Sequence, residues 1–212
     1  MPQSAKKAPG KREARKIDRR EAIVEVAKRQ FLDNGYAATS MSAIAAELGG
    51  SKATLWSYFP NKEDLFAAVL DEATAAYRQQ FADLLRPSKD MPSAVLQFTR
   101  SFMAKLTLPE PLRLHRLIVA ESGRNPELGQ LFFERAPGPT LAMLRDFMAD
   151  GMASGQLRQA DPQLAADALT SLCLGGMHRR ILWGAPPPEP AAVETEARNV
   201  TDIFMAAFGP RP

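Results

Sequence analysis

The segment Thr39–Lys62, TSMSAIAAELGGSKATLWSYFPNK, constrains this chain more than any other. Thr39-Ser40 is a capping pair ahead of Met41–Leu48, where Ile44 and Leu48 share a helical face. Gly49-Gly50 ends that segment tightly. Ser51 caps a second short helix that runs from Lys52 to about Phe59. Pro60-Asn61 breaks the pattern, and Asn61 caps a long helix from Lys62 to about Leu85. Two short helices meeting at a glycine turn of about four residues form a helix-turn-helix, whose second helix is presented to the major groove of DNA.

Each position then takes an expected role. Ile44, Ala45 and Ala46 keep the first helix small where it meets the second, and Leu55 and Phe59 point inward. The outward face of the second helix offers Lys52, Ala53, Ser57 and Tyr58, with Thr54 and Trp56 beside them, to phosphates and base edges. Ser51 and the free N–H groups of that helix suit a phosphate, and Lys62 is a second phosphate candidate. Ser40 and Ser42, opening the first helix, face the backbone on the other flank.

Charge placement agrees. The net charge is +3, but the first twenty residues carry +6, which leaves −3 on the remaining 192. A basic end on a mildly acidic body suits a polyanion at that end alone. Residues 1–16 hold almost nothing to bury and read as a disordered basic arm that tracks the duplex or enters a minor groove. With 45% hydrophobic and 24% charged residues, the rest is an ordinary globular chain. The single cysteine, Cys173, excludes an intrachain disulfide and a CxxC-type zinc site. The two histidines, His115 and His178, form no HExxH-like pair, so neither a metal nor a cofactor is expected. The basic N-terminus lacks a following apolar core, and no run reaches the length of a membrane span, so a cytoplasmic location is expected.

The expected fold class is all-α: a three-helix helix-turn-helix domain over 17–62 and a helical bundle over 63–212. Helical periodicity begins near Arg19 and stops at Asn34-Gly35. Beyond the long helix, segments of about 93–107, 110–122, 126–136 and 140–154 follow, with Pro137-Gly138-Pro139 read as a kink or break. Asp161-Pro162 opens a helix expected to run to about Leu182, and a last helix spans about 191–208. Gly175-Gly176 inside the former weakens an α-helix and reads either as close helix approach across a dimer seam or as a local break before His178-Arg179-Arg180.

The motifs resemble the DNA-binding domain of the TetR/AcrR family of bacterial regulators. FxxxGYxxTS at Phe31–Ser40, IAxELG at Ile44–Gly49 and SKATLWxYFxNKExL at Ser51–Leu65 follow that pattern in order. Two positions depart from it: Gly50 stands where the family usually has valine, and Trp56 replaces a usual tyrosine whose hydroxyl meets a phosphate. Arg116–Gly138 is similar to a C-terminal subtype of multidrug-efflux-type regulators. The resemblance implies a homodimer sealed by the last two helices, a C-terminal pocket for a small apolar effector, and double-stranded DNA with a palindromic operator as partner. No enzymatic role is implied.

In the C-terminal half, Phe98, Phe102, Leu106, Ile118, Phe132 and Leu144 are candidate pocket residues among faces that helical spacing assigns mostly to core, with His115 and Glu121 as the polar candidates. The apolar stripe Val193, Val200, Ile203, Phe204, Ala207 and Phe208 needs a partner, within the chain or across a seam. Two alternatives stay open: a DNA-binding protein that answers to no ligand, and an all-helical small-molecule-binding protein without a DNA function.

Overall fold

A computed structural model describes residues 10–210 except Gly50, Pro87 and Lys89. Those residues form helices and connecting turns, with no strand among them. They divide into two compact units, at Leu70 and Asp71.

The first unit contains α1 (Lys11–Asn34), α2 (Met41–Glu47), α3 (Lys52–Tyr58) and the opening turns of α4 (Lys62–Leu84). Its centre is an aromatic cluster. Phe31 stacks on Tyr36 at 5.5 Å, and Phe66 meets both rings at 5.1 Å. Ile23, Ala27, Ile44, Leu55, Leu65 and Leu70 are buried with it. Gly35 ends α1 with φ 86°, a left-handed conformation that suits glycine. Arg29 and Gln30 of α1 both bind the Glu47 carboxylate of α2. The Thr39 hydroxyl, buried beneath the next turn, lies 2.7 Å from Gly35 O and 3.0 Å from Gln30 O.

Two boundaries differ from expectation. Helix α1 starts at Lys11, eight residues before the apolar periodicity at Arg19, so 11–16 is helix and not a disordered arm. Lys, Arg, Ala and Glu are good helix formers, and extending a nucleated helix needs no buried face. Residues 1–9 of the expected arm lie outside the described residues. The unit boundary falls after Leu70 instead of at 62, because Leu65, Phe66, Val69 and Leu70 are spent on the first core.

The second unit comprises the rest of α4, α5 (Met91–Leu106), α6 (Pro109–Ser122), α7 (Pro126–Arg135), α8 (Pro137–Ala153), α9 (Pro162–Cys173), a π-helical segment (Leu174–His178), α10 (Arg179–Leu182) and α11 (Pro190–Phe208). Helix α5 packs on α11, α8 on α9, and α6 on α7. Phe81, Phe98, Leu144, Met148, Leu169, Cys173 and Phe204 lie in its core.

Among the described residues five helices of this unit open on proline, at Pro109, Pro126, Pro137, Pro162 and Pro190. First-turn N–H groups have no partner inside a helix, so a proline there sacrifices nothing. This explains why Pro137-Gly138-Pro139 starts α8 instead of standing as a break before it. Gly138 also permits the tight α7–α8 corner, since a Cβ there would lie 2.8 Å from Phe133 O. The helix expected from Asp161 to Leu182 is regular only to Cys173. It then widens into the π segment around Gly175-Gly176 before resuming as α10. A π turn takes in an extra residue, and such turns recur at functional sites.

Candidate DNA interface and ligand cavity

The sequence builds α3 as an isolated seven-residue rod capped at its start. Ser51 Oγ accepts from Thr54 N at 3.2 Å and lies 2.9 Å from Thr54 Oγ1. Ser40 Oγ caps α2 in the same way, accepting from Ala43 N at 3.1 Å. Leu55 and Phe59 bury the inner side of α3. Ser51, Lys52, Ala53, Trp56 and Ser57 are exposed, as are Ser40 and Ser42; Thr54 and Tyr58 are half-buried. Ser57 Oγ turns back to donate to Thr54 O at 2.7 Å. The structure therefore places the Lys52–Tyr58 flank outward on one side of the unit. Gly50, the unusual turn residue, lies outside the described residues.

Lys62, expected to meet a phosphate, has partners inside the unit. Its ammonium donates to Tyr36 O at 3.0 Å and Thr39 O at 3.2 Å, and sits 4.3 Å over the Tyr36 ring. Two of three donors are thus spent holding the α1–α2 connection against α4, and the side chain is a strut within the unit before it is anything else.

The extension of α1 to Lys11 puts Arg12, Arg15 and Lys16 of the expected arm on the same helix as Arg19. Arg12, Arg15, Lys16 and Arg19, with Glu13 and Gly10 among them, line a mainly basic concavity that Tyr58 of α3 also borders. Their spacing of three and four residues was the available signal, unused because the stretch has no apolar face.

The second unit contains a cavity of about 560 Å³, within the usual range of roughly 300–1,000 Å³ for small-molecule sites. Its walls come from α4, α5, α6, α7 and α8, with Leu174 of the π segment. Of the eight expected residues, Phe102, Leu106, His115 and Phe132 line it. Phe98, Ile118, Glu121 and Leu144 do not. Phe98 lies one turn of α5 before Phe102, and it and Leu144 are fully buried in the core; Ile118 is buried too. Glu121 stands at the end of α6, away from the walls. Unforeseen were Tyr77, Phe81, Lys105 and Thr140. A single helical stripe does not say which of its residues face a void and which meet a neighbour.

The polar groups of the cavity are specific. The Lys105 ammonium lies 3.7 Å over the Tyr77 ring and 6.0 Å from that of Phe81. Burial, then the nearby Arg78 guanidinium, pull its pKa down to about 8. His115 Nδ1 lies 3.1 Å from His178 Nε2, and His178 Nδ1 lies 3.2 Å from Leu106 O. Burial lowers the pKa of both rings; that of His178 falls to about 4, helped by His115 and opposed by the Leu106 bond. Next to His115, Arg116 donates to Ile181 O at 2.6 Å and Leu182 O at 3.2 Å, closing the end of α10. Cys173 is buried, which pushes its thiol up to about 12 and leaves it a packing residue.

On another face, α9, the π segment and α11 form an open apolar groove that includes Gly175, Gly176, Ile203 and Phe208. Ile203 is 54% exposed there. Among the described residues no cluster of three metal-ligating side chains occurs, and no helix is long and apolar enough to cross a membrane.

A helix-turn-helix unit with an exposed second helix, followed in the chain by an all-helical unit with its own cavity, is the build of a DNA-binding transcriptional regulator. The family follows from comparison. Residues 23–69 match the family described as bacterial regulatory proteins, tetR family, and residues 93–210 match the AefR-like transcriptional repressor, C-terminal domain. The chain belongs to the TetR family. It is 27% identical over 160 residues to the HTH-type transcriptional regulator YhgD of Bacillus subtilis, covering 74% of this chain and 81% of that one. It is 29% identical over 180 residues to RutR of Escherichia coli, covering 77% and 76%. Among solved structures, the flavonoid-responsive regulator FrrA superposes with TM-score 0.79 at 32% identity, covering 92% of this chain and 99% of that one. A TetR-family regulator from Mesorhizobium loti superposes with TM-score 0.80 at 28% identity, covering 92% and 98%.

Proposed function

We propose that this protein is a homodimeric repressor, released from a palindromic operator by a small, largely apolar effector that enters the α4–α8 cavity. The observation that carries this reading is the position of the π segment. Leu174 at its start lines the cavity, while Gly175, Gly176 and the following Arg179 line the open groove of α9 and α11. A molecule pressing on one side of that segment changes the surface on the other. The groove is the expected seam, where a second copy covers the exposed Ile203.

Dimerisation sets two copies of α3 roughly 34–36 Å apart, one turn of the duplex, so that both enter successive major grooves. Lys52, Ala53, Trp56, Ser57 and Tyr58 read or touch the groove. Ser40, Ser42, Ser51 and Thr54 hold its edges, and Arg12, Arg15, Lys16 and Arg19 neutralise flanking phosphates. The effector needs only different affinities for the DNA-bound and released shapes. The flavonoid response of FrrA and the repressor description of the C-terminal family support this reading, and a DNA-binding role puts the protein in the cytoplasm.

The test is footprinting on the DNA upstream of its own gene, with the protein's mass in solution measured alongside. A protected inverted repeat, a dimer, and increased transcription from that promoter on gene deletion are expected. Protection without sequence preference, or a monomer that binds as tightly, would overturn the reading.

A further inference from the structure

The cavity is apolar, but its few polar atoms are arranged as a sign-specific pair. Lys105 contributes a half-buried ammonium against the Tyr77 ring. Among the described residues no carboxylate pairs with it, and the charged group acting on it is Arg78, another cation, itself 3.6 Å from Asp71. Glu110 also borders the cavity but is exposed. A cation that has lost part of its water without gaining a counter-ion favours an incoming anion.

The second polar group is oriented by hydrogen-bond logic. Leu106 O can only accept, so the nitrogen facing it, His178 Nδ1, carries the proton. Neutral His178 then offers a lone pair at Nε2, and His115 Nδ1 donates to it. In neutral His115 the remaining nitrogen, Nε2, is left as an acceptor on a ring that lines the cavity. A backbone carbonyl on α5 thus sets, through two rings, what the cavity asks of its occupant: a hydrogen-bond donor at His115. Around these groups the rings of Tyr77, Phe81, Phe102 and Phe132 supply flat apolar walls.

We propose that the effector is a flat hydroxylated aromatic acid, whose ionised oxygen (carboxylate or phenolate) meets the Lys105 ammonium and whose neutral hydroxyl donates to His115 Nε2. This rests on the effector reading above and narrows it from apolar to acidic and aromatic. His178 does not touch the ligand in this arrangement; it positions His115.

The proposal is tested by calorimetric titration with 4′-hydroxybiphenyl-4-carboxylate, its 3′-hydroxy isomer, and the methyl ester and methyl ether of each. A nitro-substituted dihydroxybiphenyl, ionised at neutral pH, separates phenolate from carboxylate recognition. At least one acid is expected to bind tenfold or more tighter than its ester. In Lys105→Met that preference disappears, while Lys105→Arg keeps part of it. In His115→Phe the preference for hydroxyl over methyl ether disappears. His178→Leu frees the His115 tautomer and weakens the same preference without changing that of acid over ester. Thermal melts confirm that each variant is folded. Acids that bind no tighter than esters, or a preference that survives in folded Lys105→Met, would overturn the proposal.

Operator binding followed in the same titrations separates this proposal from the reading beneath it. Esters that release DNA as well as acids leave the effector response standing and remove the acidic ligand class. Acids that bind through Lys105 yet leave DNA affinity unchanged keep the ligand class and remove the response.

Discussion

His115 Nδ1 and His178 Nε2, 3.1 Å apart, join the wall of the cavity to the segment that leads into α10. They are the only histidines in the chain, and burial favours the neutral form of both. A proton added to either ring removes an acceptor and places a charge among apolar neighbours. Folding of the second unit should therefore depend on pH.

The folded pKa of His178, about 4, lies below the usual 6.5 of a free side chain. Between those values the unfolded chain binds the proton more readily, so stability rises with pH across that window. It is fully present above pH 6.5 and is lost as pH falls toward 4. Between pH 7 and pH 5 the loss should be on the order of 1–2 kcal/mol, seen as a lower melting temperature. His178→Leu should flatten the profile; an equally steep profile in that variant would refute the assignment.

Lys62 should matter to folding first. Its ammonium serves Tyr36 O and Thr39 O, so Lys62→Met leaves two carbonyls without that donor and should cost about 1–3 kcal/mol in the first unit. DNA affinity should then drop by a similar factor for operator and random sequences alike. A variant that melts like the native protein but loses only operator binding would return Lys62 to the groove.

Lys52 is exposed in the first turn of α3, where truncating it should cost folding little. Lys52→Ala should weaken operator binding by ~10–100-fold and leave the melting temperature in place. With roughly eight phosphate contacts per dimer, the native log–log salt slope should be about −7. A slope shallower than about −2 would contradict the docking.

Ile203 is 54% exposed in the groove of α9 and α11. Ile203→Glu should leave each protomer folded, because that side chain carries little of the core. Sedimentation should then report a monomer, and operator affinity should collapse, since one α3 cannot span two half-sites. A dimer of undiminished stability would place the seam elsewhere.

Much of the first unit was legible because its signals are local. Ser40, Ser51 and Asn61 cap the helices that follow them, and Leu55 and Phe59 are inward, as spacing alone requires. The start of α1 was not, because propensity carries the helix beyond its apolar face to Lys11. The π segment was not, because Gly175-Gly176 signals weakness in an α-helix without saying what replaces it. Lys62 shows the limit most plainly: a lysine in a first helical turn looks free until the fold brings two carbonyls to it.

From its residues alone the chain determined an all-helical build, the place of the helix-turn-helix and the family to which it belongs. These follow from periodicity, caps and an ordered motif, all written within a few turns of chain. Which apolar residues face a void, and that Lys105 and the His115–His178 pair converge near it, was decided only when α4 through α8 packed. A cavity is a relation between distant segments, and no spacing within one helix encodes it.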